Sequence, residues 1–211
     1  IKILNFVNDK DVFYAKYCNL LMQRLLSGTN LDVEKKIVDN LQEINDYSYV
    51  KNLQKMIEDI RISNSNLNNY ISIKINQSES KTIDSYFDLK KLNALTFSHN
   101  VWDICLKKSK IYNDKFDAFS PQFKSYLLTY DTFYRKKFEG RNLGWLLEMG
   151  SIKVSMYLND KKLNLKVNPY QMILIEMFNE TDVVNYSQLK EKLINCLGIK
   201  ENSEIINNTI K

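Results

Sequence analysis

A chain of 211 residues has room for one or two domains, and with 44% apolar and 12% aromatic residues it can build a packed core. The net charge of +5 is mild and spread along the chain, which reads as a solvated basic surface rather than a dedicated nucleic-acid patch. No apolar run approaches the roughly 18–20 residues of a transmembrane helix. Three distant cysteines, Cys18, Cys105 and Cys196, point to a reducing compartment with no disulfide framework. The opening IKILNFVNDKD has no signal-peptide pattern and reads like the start of a fragment.

In chain order, NDKDVFYAKYCNLLMQRLLSG places Phe13, Tyr17, Leu20, Leu21 and Leu25 at helical spacing, with Gly28 as the stop. LDVEKKIVDNLQEIN repeats the pattern with Ile37, Val38, Leu41 and Ile44. YSYVKNLQKMIEDIRIS carries Val50, Leu53, Ile57 and Ile60. Residues 64–91 turn polar and are expected to end in a loop. LNALTFS (92–98) suggests a short strand, and KKSKIYNDKFDAFS a second loop. SPQFKSYLLTYDTFYRKKF then opens with Ser120 as cap and Pro121 at the first helical position, with a stripe of Phe123, Leu127, Tyr130 and Tyr134.

At residue 139 the period changes. Three of the five glycines, Gly140, Gly144 and Gly150, fall close together. LGWLLEM suggests a strand. After it, Ile152, Val154, Met156 and Leu158 alternate with polar neighbours, and after a short turn so do Leu163, Leu165 and Val167. Asn168, Pro169 and Gln171 form a helix start of cap, first-turn proline and capping-box glutamine. PYQMILIEMF is apolar nearly all round, so its helix should be buried. NYSQLKEKLINCLGIKENSEIINNTI reads as two helices joined at Gly198, a helix-turn-helix that stops before any wing strands. The expected fold is mostly α with an α+β part: a helical bundle over 1–138, then a small β-sheet/winged-helix-like α/β domain over 139–211. Phe133 and Trp145, beside the break, are expected to be largely buried at the junction of the two.

Little in this chain can perform chemistry. His99 is the one histidine, placed beside a strand end, and no Cys-x-x-Cys pair exists, which argues against a metal site. The glycine spacing does not make a phosphate loop. Glu58 and Asp59 diverge on adjacent helix positions and read as solvated; Ser120 and Ser187 read as helix caps. No catalytic, cofactor-binding or metal-binding residue is assigned, and no cofactor is expected. The helix-turn-helix is a poor DNA reader. Its second helix, SEIINNTI, lacks a basic residue before Lys211, and phosphate contacts supply most nucleic-acid affinity.

Four ordered blocks carry a resemblance: KDVFYAKYCNLLMQRLL (Lys10 to Leu26), YSYVKNLQKMIEDIRIS (Tyr47 to Ser63), FYRKKFEGRNLGW (Phe133 to Trp145) and KLNLKVNPYQMILIEMFN (Lys162 to Asn179). Together they resemble the cullin homology region, the C-terminal part of a divergent cullin. The resemblance implies a non-catalytic, rigid scaffold of a multisubunit cullin-RING ubiquitin ligase, working in the cytoplasm and nucleus. It implies binding of a RING-box zinc protein, which threads a β-strand into the cullin sheet and brings in the ubiquitin-conjugating enzyme indirectly. Ile152, Val154, Met156, Leu158, Leu163, Leu165 and Val167 would form the face beneath that strand, either strand supplying the edge; Phe133, Gly140, Arg141 and Trp145 would form the structural junction. Substrate adaptors belong to an N-terminal region absent here, as is the final winged-helix domain with its modified lysine. No membrane partner is implied. SHNVWD keeps Ser98 and Trp102 of a family block but lacks its proline. EMGSIKVSMYL and Asn168-Pro169 are also similar to the cullin-like subunit of the anaphase-promoting complex. A winged-helix nucleic-acid-binding protein is the more distant alternative.

Overall fold

The structure is a computed structural model of the chain and describes residues 9–42, 47–77, 92–106, 116, 119–158, 161–197, 206 and 209–210. It is mostly helical, with one two-stranded antiparallel sheet among the described residues. By packing, the chain divides into two compact units, Ile1–Lys108 and Ser109–Lys211. The change of hydrophobic period falls later than this division, so α5 (Pro121–Lys137), helical like the segments before it, belongs by its contacts with the strands and helices after it.

The first unit holds α1 (Lys10–Ser27), α2 (Leu31–Gln42), α3 (Tyr47–Gln77) and α4 (His99–Leu106). Asp9 caps α1, its carboxylate accepting from the Val12 amide at 3.2 Å. Gly28 ends α1 in the left-handed region at φ 86°, a conformation that disfavours any Cβ. The buried stripe of α1 is Tyr14, Cys18, Leu21 and Leu25. It lies beside the expected one: Leu20 is exposed, and Phe13 stacks on Tyr17 at 5.9 Å along the flank. In α2, Val38 and Leu41 are buried while Ile37 is exposed; Ile44 lies outside the described residues.

All four expected positions of α3 are buried, and the stripe continues through Ser63, Leu67 and Tyr70. The helix therefore runs well past the expected end, because apolar side chains keep returning every third or fourth residue through an Asn-rich stretch. Residues 92–98 form no strand. Their backbone bonds to a side chain instead: Ser63 Oγ accepts from the Thr96 amide at 2.7 Å and donates to the Ala94 carbonyl at 3.4 Å. His99 stands at the start of α4 rather than beside a strand, exposed, and Val101 and Trp102 of SHNVWD are buried within that helix.

In the second unit Ser120 precedes Pro121 as expected, but only its carbonyl takes part in the helix start, accepting from Lys124 N at 3.0 Å. LGWLLEM is not a strand: pairing is confined to Trp145, and Leu147–Met149 make one 3-10 turn. The strands β1 (Ile152–Leu158) and β2 (Lys161–Val167) follow, then α6 (Pro169–Met177) and α7 (Tyr186–Leu197). The capping box of α6 is complete. Asn168 Oδ1 accepts from Gln171 N at 2.8 Å, and Gln171 Oε1 accepts from Asn168 N at 3.0 Å. Ser187 sits in the first turn of α7; at its start Asn185 N donates to Gln188 Oε1 at 2.8 Å. Gly198 and most of the expected second helix lie outside the described residues. Tyr170, Ile173 and Leu174 of α6 form the core with Leu127, Leu147 and Leu193.

Candidate functional site

The hairpin β1–β2 is where chain chemistry and exposure coincide. Its register pairs Ile152 with Val167, Val154 with Leu165 and Met156 with Leu163. Period-two alternation puts Ile152, Val154, Met156, Leu158, Leu163, Leu165 and Val167 on one face. The structure thus brings together all seven residues expected there. The face is covered unevenly: Ile152, Val154 and Val167, at the base, pack against the core, whereas toward the tip Leu163 is 39% and Leu158 55% exposed. On the opposite face Ser155 Oγ donates to Asn164 Oδ1 at 3.0 Å across the strands, and Tyr157 is 72% exposed.

Among the described residues the sheet has two strands, each paired on one side. Each outer edge presents backbone N–H and C=O groups over seven residues, about 23 Å of strand. Such an edge is a template for another chain. It is anchored at both ends of the hairpin. Gly150 packs tightly before β1: a Cβ there would meet Leu147 O and Pro169 Cγ at 3.1 Å, so a neighbour would have to give by a few tenths of an ångström. Asn168, directly after β2, is locked in the capping box. The ribbon therefore leaves the core at a fixed position.

The four expected junction residues surround the C-terminal end of α5, within the second compact unit. Phe133 and Trp145 are half-buried rather than buried, each about 6 Å from the Tyr130 ring (5.9 and 6.0 Å between centroids). Trp145 Nε1 is buried with no acceptor among the described residues. Gly140 has φ 78° and Arg141 lies over the Phe138 ring at 5.0 Å, so this pair turns the chain out of α5.

Sequence reading missed two polar clusters in the first unit. Asp59, read as solvated, accepts from the Ser98 amide at 2.9 Å and from Trp102 Nε1 at 3.0 Å. Its signal lay in spacing: it falls three residues after buried Met56 and four before buried Ser63, at the margin of the α3 stripe. Glu34, 4% exposed, receives both Nε and Nη2 of Arg24 at 2.5 and 2.9 Å. Donating to Glu34 raises the pKa of Arg24 above its ordinary value; burial raises that of Tyr17, whose ring the guanidinium faces at 5.4 Å. Both clusters clamp helices together. Among the described residues no group of three or more His, Cys, Asp or Glu is placed to hold a metal, and no helix is long and apolar enough to cross a membrane.

Comparison with known proteins matches two successive parts of the chain to one family. The family model described as Cullin alpha solenoid domain matches residues 1–67, and that described as Cullin alpha+beta domain matches residues 97–198. Cullin-6 of Caenorhabditis elegans is 26% identical over 195 residues, 92% of this chain and 24% of that protein. Cullin-1 of Schizosaccharomyces pombe is 26% identical over 194 residues (90% and 23%), and human Cullin-4A 26% over 190 (89% and 23%). The chain thus spans about a quarter of the length of these relatives. The first match covers α1, α2 and most of α3, and the second covers α4, α5, the hairpin, α6 and α7, so both fall on one family: the chain belongs to the cullin family.

Proposed function

We propose that this chain is part of the scaffold subunit of a multisubunit ubiquitin ligase, and that its hairpin accepts a β-strand from a RING-box zinc protein. That protein would position the ubiquitin-conjugating enzyme, the scaffold itself contributing no catalytic group. Such a ligase would act in the cytoplasm and nucleus, with substrate adaptors held by a part of the subunit outside this chain. The observation that carries the reading is a hairpin of two seven-residue strands, fixed to the core at its base, whose outer edges pair with no other strand among the described residues. The incoming backbone would use an edge, and its apolar side chains would cover the tip-side leucines, Leu158 and Leu163.

Backbone chemistry gives the test. Proline deletes a ladder N–H, whereas alanine at an exposed, polar-face position leaves the ladder intact. Ser155→Pro and Lys166→Pro are expected to weaken capture of a RING-box protein more than Ser155→Ala and Lys166→Ala, with circular dichroism checking the fold. If both proline variants stay folded and bind as tightly as their alanine counterparts, strand addition at this hairpin is wrong.

A further inference from the structure

The two edges of the hairpin differ in whether they can pair with themselves. Among the described residues neither meets another strand, and such an edge is a template for a second copy of the chain as well as for a foreign strand. In a two-fold antiparallel pairing the same alternate residues of both copies point N–H and C=O at the edge, so residues that stand opposite must be an even number apart. For β1 the register with full overlap sets Ser155 opposite Ser155 of the copy, Val154 opposite Met156, Lys153 opposite Tyr157 and Ile152 opposite Leu158. Apolar side chains meet apolar ones on one face. On the other, each Lys153 ammonium stands beside the exposed Tyr157 ring, a cation–π neighbour, and no like charges meet. The same operation on β2 centres on Asn164. It sets Lys162 opposite Lys166 twice over and Lys161 opposite Val167, and like charges so placed destabilise a sheet. Joining β1 to β2 of a copy leaves an edge open at each end and does not close.

We infer that β1 is a self-complementary edge, through which two copies of the chain join in one four-stranded antiparallel sheet of order β2–β1–β1–β2, about a two-fold axis at Ser155. The axis stands perpendicular to the sheet, so the apolar faces of both hairpins lie on the same side and run in opposite directions. Each uncovered tip is thereby set beside the base of the other hairpin: Leu158, 55% exposed, comes opposite Ile152 of the copy, which packs on its own core. The pairing gives that leucine the apolar neighbour it lacks in the single chain. The outer edge of β2 stays open, so this dimer does not rest on the strand acceptor proposed above and leaves it an edge.

The test uses the 211-residue chain, by cysteine cross-linking and by sedimentation. Directly opposite residues have Cα atoms about 4.5–5.5 Å apart, inside the roughly 4.4–6.8 Å that a disulfide spans. Ser155→Cys is therefore expected to give a covalent dimer under mild oxidation on a non-reducing gel, above the background that wild type sets. Lys153→Cys controls the register: its two copies stand four residues of strand apart, about 14 Å, and should not cross-link. Asn164→Cys, at the centre of β2, reports the other edge and should not cross-link either. In sedimentation, wild type should dimerise as concentration rises. Ser155→Lys and Ser155→Glu each set like charges face to face at the axis and should lose about fivefold in dimer affinity. An equal mixture of the two should recover it, which separates lost pairing from lost fold. The inference is overturned if wild type stays monomeric up to about 100 µM, if Lys153→Cys or Asn164→Cys cross-links as readily as Ser155→Cys, or if the mixture associates no better than either variant alone.

Discussion

Trp102, wholly buried, donates its indole N–H to Asp59 of α3 at 3.0 Å. The same carboxylate takes the Ser98 amide at 2.9 Å and its hydroxyl at 3.2 Å, so one side chain fixes the entry to α4. Asp59→Ala leaves a buried indole N–H without an acceptor and should destabilise the first unit by about 2–3 kcal/mol. Asp59→Asn keeps one acceptor oxygen and should fall between alanine and wild type. Urea unfolding with a common m-value checks both; wild-type stability of the alanine variant would remove Asp59 from this role.

The Arg24–Glu34 pair makes a second, differently shaped expectation. Glu34 is buried, so Arg24→Leu strands its charge and should cost roughly 2–3 kcal/mol. Arg24→Leu/Glu34→Leu removes the stranded charge and should recover part of that loss. A double variant less stable than Arg24→Leu alone, measured by the same unfolding curves, would contradict the argument.

Tyr17 predicts a pH dependence. Burial is the first cause of its raised pKa, with Arg24 opposing. The folded state therefore holds the phenol proton more tightly than the unfolded chain. That contribution is fully present below about pH 10, the ordinary tyrosine value, and is lost as pH rises through the folded value. Between pH 9 and 11, Tyr17→Phe should lose less stability than wild type; identical alkaline slopes would refute this.

Two glycines should resist alanine for unlike reasons. At Gly28 a Cβ meets nothing within 4 Å, so Gly28→Ala pays only for the left-handed backbone, about 1–2 kcal/mol. Gly150 has an ordinary backbone, φ −70°, but a Cβ 3.1 Å from Leu147 O and Pro169 Cγ. Gly150→Ala should therefore disturb the base of the hairpin, and partner capture as well as Tm should report it. A Gly150→Ala protein with wild-type Tm would show that Pro169 gives way freely.

Much of this arrangement was legible because it is written in local patterns. The α6 start was readable from Asn168, Pro169 and Gln171, since a capping box needs only those spacings. The hairpin face was readable from alternation over 152–158 and 163–167. LNALTFS and LGWLLEM misled for a shared reason: β-prone side chains do not make a strand when no neighbour offers a ladder, and one found a serine side chain while the other folded into a 3-10 turn. The uneven cover of the hairpin face was invisible, because alternation says which side is apolar and not how far the core reaches along it.

The tether at Asp59 has a kinetic consequence. It joins residues 43 apart in sequence, and the Ser63–Thr96 bond spans 33, whereas the Arg24–Glu34 clamp closes over 10 and the Ser155–Asn164 contact over 9. A fourfold longer loop adds about 1.2 kcal/mol of closure entropy. On this ground the short-range clamps are expected to form first, with residues 92–106 docking later onto α1 and α3. In the native protein the same segment is expected to open before α1 and α2 do. Its amides, with that of Ser98 among them, should exchange with solvent hydrogen ahead of those of α1, making this stretch the low-stability cooperative unit of the first half of the chain.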